Sequence, residues 1–552
     1  MTSRVRTESP RSGGAPAAIV DSVARIRESY IDYLSDESRY GNASADRLIL
    51  AHDEEQVAAS LADAAARGSQ VTVSGGRTGI VGGAVPLAGT LLSLAEMNRI
   101  LGLRKLPDGS FALRTEPGVT IAELRERLET KDLGIDTGGV PDGLRADLES
   151  FLEDGRKWFY PPDPTEDTAH LGGTVAANAS GARSFRYGAT RRHVVGIRVC
   201  LANGEVLALE RGRATADSGR FTIETSAGDV GFSVPSYAMP SIKNAAGYYA
   251  RPDMDLVDLF VGSEGTLGVI TEVEILLTPA PEGILSALAF FGSDGEALAF
   301  VRQTRGDTGR DARPDGVCPL ALEFFDSRSL DFLRERKREH GPSSEIPELP
   351  ADAVAGVLFE QDYVEDKLLD VYEGWESLLL AHGSSMDRTW GGMEEGELVK
   401  LRALRHSVAE EVNNVIARAK ADHPEIHKVG TDAAVPDSEL EAIFAFYRSE
   451  LDASGLRYVV FGHVGDSHLH LNIMPRDPAE LRRAKEMALA VAREAVRMGG
   501  TVSAEHGIGK LKHDFLRLMY GDEGLAEMAA VKRALDPAGV INRGVMFPES
   551  LL

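Results

Sequence analysis

The sequence predicts an α+β chain of at least two domains. Its 552 residues exceed what one hydrophobic core can organise, since cores stop growing near ~250–300 residues. A glycine-rich loop near the start follows a strand without the helix a doubly wound sheet would need next. After Pro279 and Pro281 the texture changes from many short strands to longer helices alternating with short strands, so a boundary is expected close to residue 280.

The elements follow in order. Residues 1–20, rich in Ser, Pro, Gly and Arg, are expected to be a disordered tail. A helix is predicted from Glu54 to Arg67: Asp53 can cap it, Gln56 stands three residues later, and Gly68 can close it. Val71 and Val73 alternate as a strand and run into SGGRTGIVGGAVP at 74–86, after which Pro86, Gly89 and the apolar run at 91–94 deny an immediate helix. That excludes the ordinary dinucleotide fingerprint, in which a helix N-terminus meets the pyrophosphate. FALRT at 111–115 reads as a strand, Thr120 with Glu123 as a capping box, and 131–159 as irregular. Asn203-Gly204 between apolar runs predicts a hairpin joining Val194–Leu201 to residues 205–210. In the second half, helices at 401–412 and 485–498 and a strand at 458–461 are expected.

Composition narrows the function classes. Sixty Lys and Arg against 85 Asp and Glu give a formal charge of −25, which disfavours tracking along nucleic acid. Two cysteines, Cys200 and Cys318, supply neither a disulfide framework nor enough thiolates for an iron–sulfur cluster. The first residues lack the apolar core of a secretory signal, and no apolar run reaches the ~18 residues of a membrane span. A cytoplasmic protein is expected, peripheral to a membrane only through a partner.

Two further glycine-rich stretches accompany the first loop, at 159–188 and 259–275. Any one alone reads as a surface turn. Three beside strands of one region point to a diphosphate-bearing cofactor, because small residues let backbone amides approach anionic oxygens. Downstream, FGHVGDSHLHLNI at 461–473 and TVSAEHGIGK at 501–510 concentrate imidazoles and a carboxylate. Strand alternation puts His468, His470 and Asn472 on one face, and Gly465 and Asp466 let the chain turn so that His463 converges. Glu505 and His506 would diverge in an extended segment, although Gly507 and Gly509 permit an unusual backbone there. Imidazole with carboxylate suits a zinc-like or manganese-like divalent ion. Arg402 and Arg405 are spaced to share one side of their helix, where a guanidinium could clamp a carboxylate.

Over residues 45–550 these loops resemble the flavoproteins of the vanillyl-alcohol oxidase and p-cresol methylhydroxylase type, and the C-terminal motifs resemble the FAD-dependent D-2-hydroxyacid dehydrogenases among them. That branch includes D-lactate dehydrogenases, the FAD subunit of glycolate oxidase and D-2-hydroxyglutarate dehydrogenase. The resemblance implies a two-subdomain FAD-binding domain at 45–280, an α+β substrate domain at 281–500, and a segment at 501–552 that carries catalytic residues and returns to the FAD domain. FAD would be surrounded by Ser74, Gly75, Gly76, Arg77, Thr78 and Gly79; by Pro117, Gly118, Pro162 and Asp163; by Gly172, Gly173, Ala176, Asn178, Ser180 and Gly181; and by Glu264, Gly265, Leu267, Gly268, Ile270 and Asn542. Arg77 stands where some relatives tether the flavin through a histidine, so non-covalent FAD is implied, and Arg543 replaces a proline beside Asn542.

By the same resemblance His463, His470 and Glu505 hold the divalent metal and His506 is the base. Arg405, Lys428 and Asn472 meet the substrate, a small D-2-hydroxyacid of the lactate, glycolate or 2-hydroxyglutarate kind. His468, where relatives carry Gly-Asn in place of Ser467-His468, stays open between extra ligand, substrate contact and neutral replacement. The expected reaction chelates the hydroxyacid on the metal, moves its hydroxyl proton to His506 and its hydride to flavin N5. Electrons would leave to a quinone, cytochrome, electron-transfer flavoprotein or iron–sulfur subunit, and a homodimer is compatible. The alternatives are a metal-dependent hydrolase, which would not bleach with a hydroxyacid, and a non-catalytic electron-transfer subunit, which would bind flavin without bleaching.

Overall fold

The computed structural model describes residues 3–13, 15–135, 142–306 and 314–552. Among these, strands build three main sheets. The smallest runs Ala18–Val20, Arg47–Leu50, Thr90–Ser93, Val71–Ser74, the last three mutually parallel. Its helix Glu54–Arg67 is capped by Asp53, which accepts from Gln56 N, and closes at Gly68 with φ 64°. Val71–Ser74 then feeds the 75–89 loop with no helix before the next strand, as the glycine and proline pattern requires.

An eight-stranded sheet follows in the order Gly228–Ser233, Arg220–Thr225, Arg4–Glu8, Val206–Glu210, Val194–Cys200, Val269–Leu276, Phe111–Thr115, Ile100–Lys105. Gly204, at φ 82°, turns the predicted hairpin, and Thr120 caps the helix Ile121–Thr130 by accepting from Glu123 N. Two expectations need correction. Among its described residues the N-terminal tail is not disordered, because Arg4–Glu8 is a strand paired with Val206–Glu210 and Arg220–Thr225. Arg4 and Arg6 reach Glu224, and the buried Arg198 gathers Glu8 and Glu54; charges that look solvated in the sequence are matched across strands. The segment expected to be irregular holds the helix Asp142–Glu153, anchored by Phe151 packed edge-on against Phe111 at 5.3 Å; residues 136–141 of it lie outside the described residues.

The second half centres on a seven-stranded antiparallel sheet, in the order Thr389–Gly392, Gly283–Phe291, Ala355–Tyr363, Pro319–Phe325, Tyr458–Gly462, His470–Ile473, Val429–Gly430. Helices Glu395–Asp422, Leu440–Ser454 and Pro478–Arg497 contribute to its core. Beyond residue 500 the chain leaves this core: Ile508, Met528, Val531 and Phe547 pack with residues of the eight-stranded sheet, and Val540 O accepts from Val71 N at 2.7 Å. No helix among the described residues is long and apolar enough to cross a membrane.

Candidate active site

The glycine-bearing loops interlock at backbone distance. Gly172 N donates to Pro117 O at 2.8 Å, and a Cβ on Gly172 would stand 2.3 Å from the Pro117 Cβ. On Gly118 it would meet the Leu94 and Met97 carbonyls at 2.6 Å, and on Gly181 the Asp163 carbonyl at 2.0 Å. No side chain fits at such distances. Asn542, at φ 46°, ties two loops together by accepting from Val73 N at 2.8 Å and donating to Glu264 O at 2.9 Å. Arg543 bonds back to Gly539 O within the same turn.

Other members of the cradle are open or unsatisfied. Nothing lies within 4 Å of a Cβ placed on Gly79 or Gly173, so their backbone is bare. Ser74 Oγ and His170 Nδ1 are buried without a hydrogen-bond partner, and His170 packs on Gly75 and Gly76. Bare backbone with orphaned polar atoms suits a diphosphate-bearing cofactor. Arg77, at φ 59°, turns the first loop and lays its guanidinium 4.3 Å from the Tyr33 ring centre. Leu267 and Ile270 are buried in the core, and a Cβ on Gly268 would strike Val199 at 2.5 Å; their side-chain positions serve packing.

The second constellation is built of titratable groups. His463 follows the strand Tyr458–Gly462, and a turn at Val464–Asp466 with Ser467 at φ 50° reverses the chain toward His470–Ile473. The rings of His463, His468 and His470 therefore converge, with centroids 4.4 to 5.4 Å apart. Glu505 Oε1 lies 3.4 Å from both His463 Nε2 and His470 Nε2, and 3.5 Å from His506 Nε2. Ligand atoms of a tetrahedral ion bound at about 2.1 Å stand roughly 3.4 Å apart, so the donor set and its spacing fit a divalent ion.

Glu505 and His506 do not diverge, contrary to the extended-segment expectation. Gly507 and Gly509, at φ 77° and 52°, curl the backbone, and the half-buried Glu264 carboxylate accepts from Ile508 N and Gly509 N at 2.7 Å each. Glu264, expected beside FAD, thus directs its side chain to the turn that presents His506. Asp432 supports the turn from the other side, accepting from His506 N at 2.9 Å and from Lys512 Nζ at 3.0 Å, with His506 Nδ1 3.3 Å away.

Electrostatics mark the cluster as a site for positive charge. Burial opposes ionisation of Glu505, but Lys243, 2.9 Å away, and His463 hold its carboxyl well below the ordinary range. Burial also opposes a charged His463, yet Glu323, 2.5 Å from Nδ1, and Glu505 raise its imidazole to about 10. A single proton there is shared between two carboxylates, where a divalent cation would supply two charges.

The two constellations meet. Ser180, from the glycine-rich stretch at 159–188, donates to Glu505 Oε2 at 3.4 Å, and Lys243, also from the first half, donates to the same oxygen. Arg405, half-buried, lies in the field of both Asp163 and Glu323. Arg402, one turn away on the same helix, is exposed and pairs with Glu395, so of the two only Arg405 lies near the carboxylates. Lys428 is exposed, with burial of its surroundings and the charge of Arg39 lowering its ammonium pKa. Asn472 is buried in register with Gly430. Sequence reasoning missed Lys243, Glu323, Asp432 and Lys512. Glu323 carried a readable signal, a lone carboxylate in the apolar strand PLALEFF, since a buried charge must be paired.

Known proteins supply the family. Residues 281–546 match the family model for the C-terminal domain of FAD-linked oxidases, and residues 45–143 and 145–210 match that for an FAD-binding domain. The chain belongs to the FAD-linked oxidoreductase family. FAD is accordingly the cofactor these domain matches support, and the hydrolase alternative falls. D-lactate dehydrogenase of Anaerostipes hadrus is 28% identical over 93% of this chain and 92% of its own length. The glycolate oxidase subunit GlcD of Bacillus subtilis is 26% identical over the same shares. D-2-hydroxyglutarate dehydrogenase of Danio rerio is 27% identical over 95% of this chain and 82% of its own. The solved structure of 4-ethylphenol oxidase from Gulosibacter chungangensis, 17% identical, covers 97% of this chain and 95% of its own at a TM-score of 0.62. It shares the p-cresol methylhydroxylase-type fold that the loops imply.

Proposed function

We propose that this flavoenzyme oxidises a small D-2-hydroxyacid to its 2-oxoacid with the help of a divalent metal, FAD being held non-covalently. The observation that supports the reading is the contact of Ser180 and Lys243, from the flavin half, with Glu505 of the histidine cluster, which is what a metal-assisted acid–base site beside a bound flavin would require. When bound, FAD accepts the hydride from the substrate Cα, and a zinc-like or manganese-like ion makes the hydroxyl more acidic. His463, His470 and Glu505 are the residues that would hold the ion. His506, partly exposed beside them and stacked on His470 at 5.6 Å, takes the hydroxyl proton. Asp432 fixes that ring from behind. Arg405 binds the substrate carboxylate, with Lys428 and Asn472 assisting. Electrons pass to a quinone, cytochrome, electron-transfer flavoprotein or iron–sulfur partner. The test is anaerobic mixing of the purified holoprotein with D- and L-hydroxyacids. Bleaching of the flavin by a D-acid is expected, and a flavin that no 2-hydroxyacid bleaches contradicts the proposal.

A further inference from the structure

We infer that His468 is an additional ligand of the divalent ion, giving this chain a centre of three imidazoles and one carboxylate (His463, His468, His470 and Glu505) with Asp432 holding the second nitrogen of His468. The inference rests on the metal reading above and deepens it.

His468 is fully buried, with no exposed surface. Its Nδ1 has no hydrogen-bond partner. Nε2 lies 3.0 Å from Asp432 Oδ1 and is paired with that carboxylate. Buried side-chain polar atoms are hydrogen-bonded in the large majority of cases, so an unpartnered imidazole nitrogen facing other metal-competent groups points to a missing partner. His463 shows the contrast within the same cluster, with Nδ1 fixed on Glu323 and Nε2 turned toward Glu505.

Placement is the second observation. His468 offers a nitrogen within 4.8 Å of the ligand atoms of His463, His470 and Glu505, and its ring centre is 4.4 Å from that of His470. The left-handed Ser467, at φ 50°, and the bridge between His468 and Ala434 fix the residue there. Glu323 behind His463 and Asp432 beside His468 repeat one device, a carboxylate that orients an imidazole toward an ion.

Three nitrogen donors and one carboxylate favour a borderline ion such as zinc over oxygen-seeking magnesium or calcium. Relatives with asparagine at this position would lack the third imidazole.

X-ray absorption of the zinc-loaded, flavin-loaded protein counts the imidazoles directly. Three are expected for the wild type and two for His468→Asn and His468→Gln, with zinc affinity against a competing chelator falling at least about tenfold. Flavin content and circular dichroism report whether each variant is folded, and the wild-type count stands if neither is. Two imidazoles in the wild type, or equal counts and affinities in wild type and folded variants, overturn the inference while leaving the metal reading intact. A wild-type protein that takes up no stoichiometric zinc overturns both.

Discussion

The flavin cradle and the histidine cluster touch at Glu505, yet they are built by opposite means. The cradle works by backbone: Gly118, Gly172 and Gly181 let loops approach so closely that a methyl group would collide, and Asn542 pins two loops together with its amide. In the cluster, charge does the work, with Lys243, Glu505, His463 and Glu323 forming a continuous buried chain of ion pairs. Shape holds a cofactor in place, whereas protons and carboxylates must be moved and neutralised by groups that can change state. Substitutions in the two regions should therefore fail in different ways.

The largest effect belongs to the cluster. His506→Ala should slow hydroxyacid-driven flavin reduction by about 10²–10⁴-fold, the usual contribution of a positioned base, while the visible spectrum shows FAD still bound. Loss of flavin from that variant would merge the two regions and break the contrast. In the cradle half, His193 is buried and held down to about 4 by burial. The unfolded chain takes up this proton below about 6.5 and the folded chain only near 4, so full stability is expected above pH ~6.5. Up to about 3 kcal/mol should be lost as pH falls from there toward 4. Thermal unfolding across that range checks it, and a His193→Gln variant should show a flatter profile.

Gly172→Ala should cost about 1–3 kcal/mol of stability by overpacking against Pro117, and flavin content after dialysis should fall more than the rate of the flavin-loaded remainder. The reverse split would mean that Gly172 serves chemistry rather than shape. A smaller effect is expected at Arg405→Lys: a rise in KM of roughly tenfold with kcat little changed, because a point charge replaces a bidentate fork. Arg402→Ala, on the solvent side of the same helix, should change neither parameter.

Legibility in the sequence followed the same division. The cradle could be read because glycine at a tight turn leaves a local signature; Gly68, Gly204 and the loop at 74–86 all stand where the pattern puts them. His463, His470, Glu505 and His506 could be listed from two short motifs, but their convergence depends on Gly507, Gly509 and the distant Glu264 carboxylate, which no local pattern joins. Lys243 lies 262 residues from Glu505 and sits in a segment without periodicity, so its partnership exists only in the fold. The N-terminal strand was hidden for a related reason, since the carboxylates that neutralise Arg4 and Arg6 lie more than 200 residues downstream.

The most direct test of the link between cradle and cluster is the anaerobic reduction of bound flavin by a D-hydroxyacid in protein stripped of metal, before and after adding one equivalent of zinc or manganese. The flavin absorbance should persist in the stripped protein and bleach once the ion is restored. Full-rate bleaching without any ion would contradict the assignment of His463, His470 and Glu505.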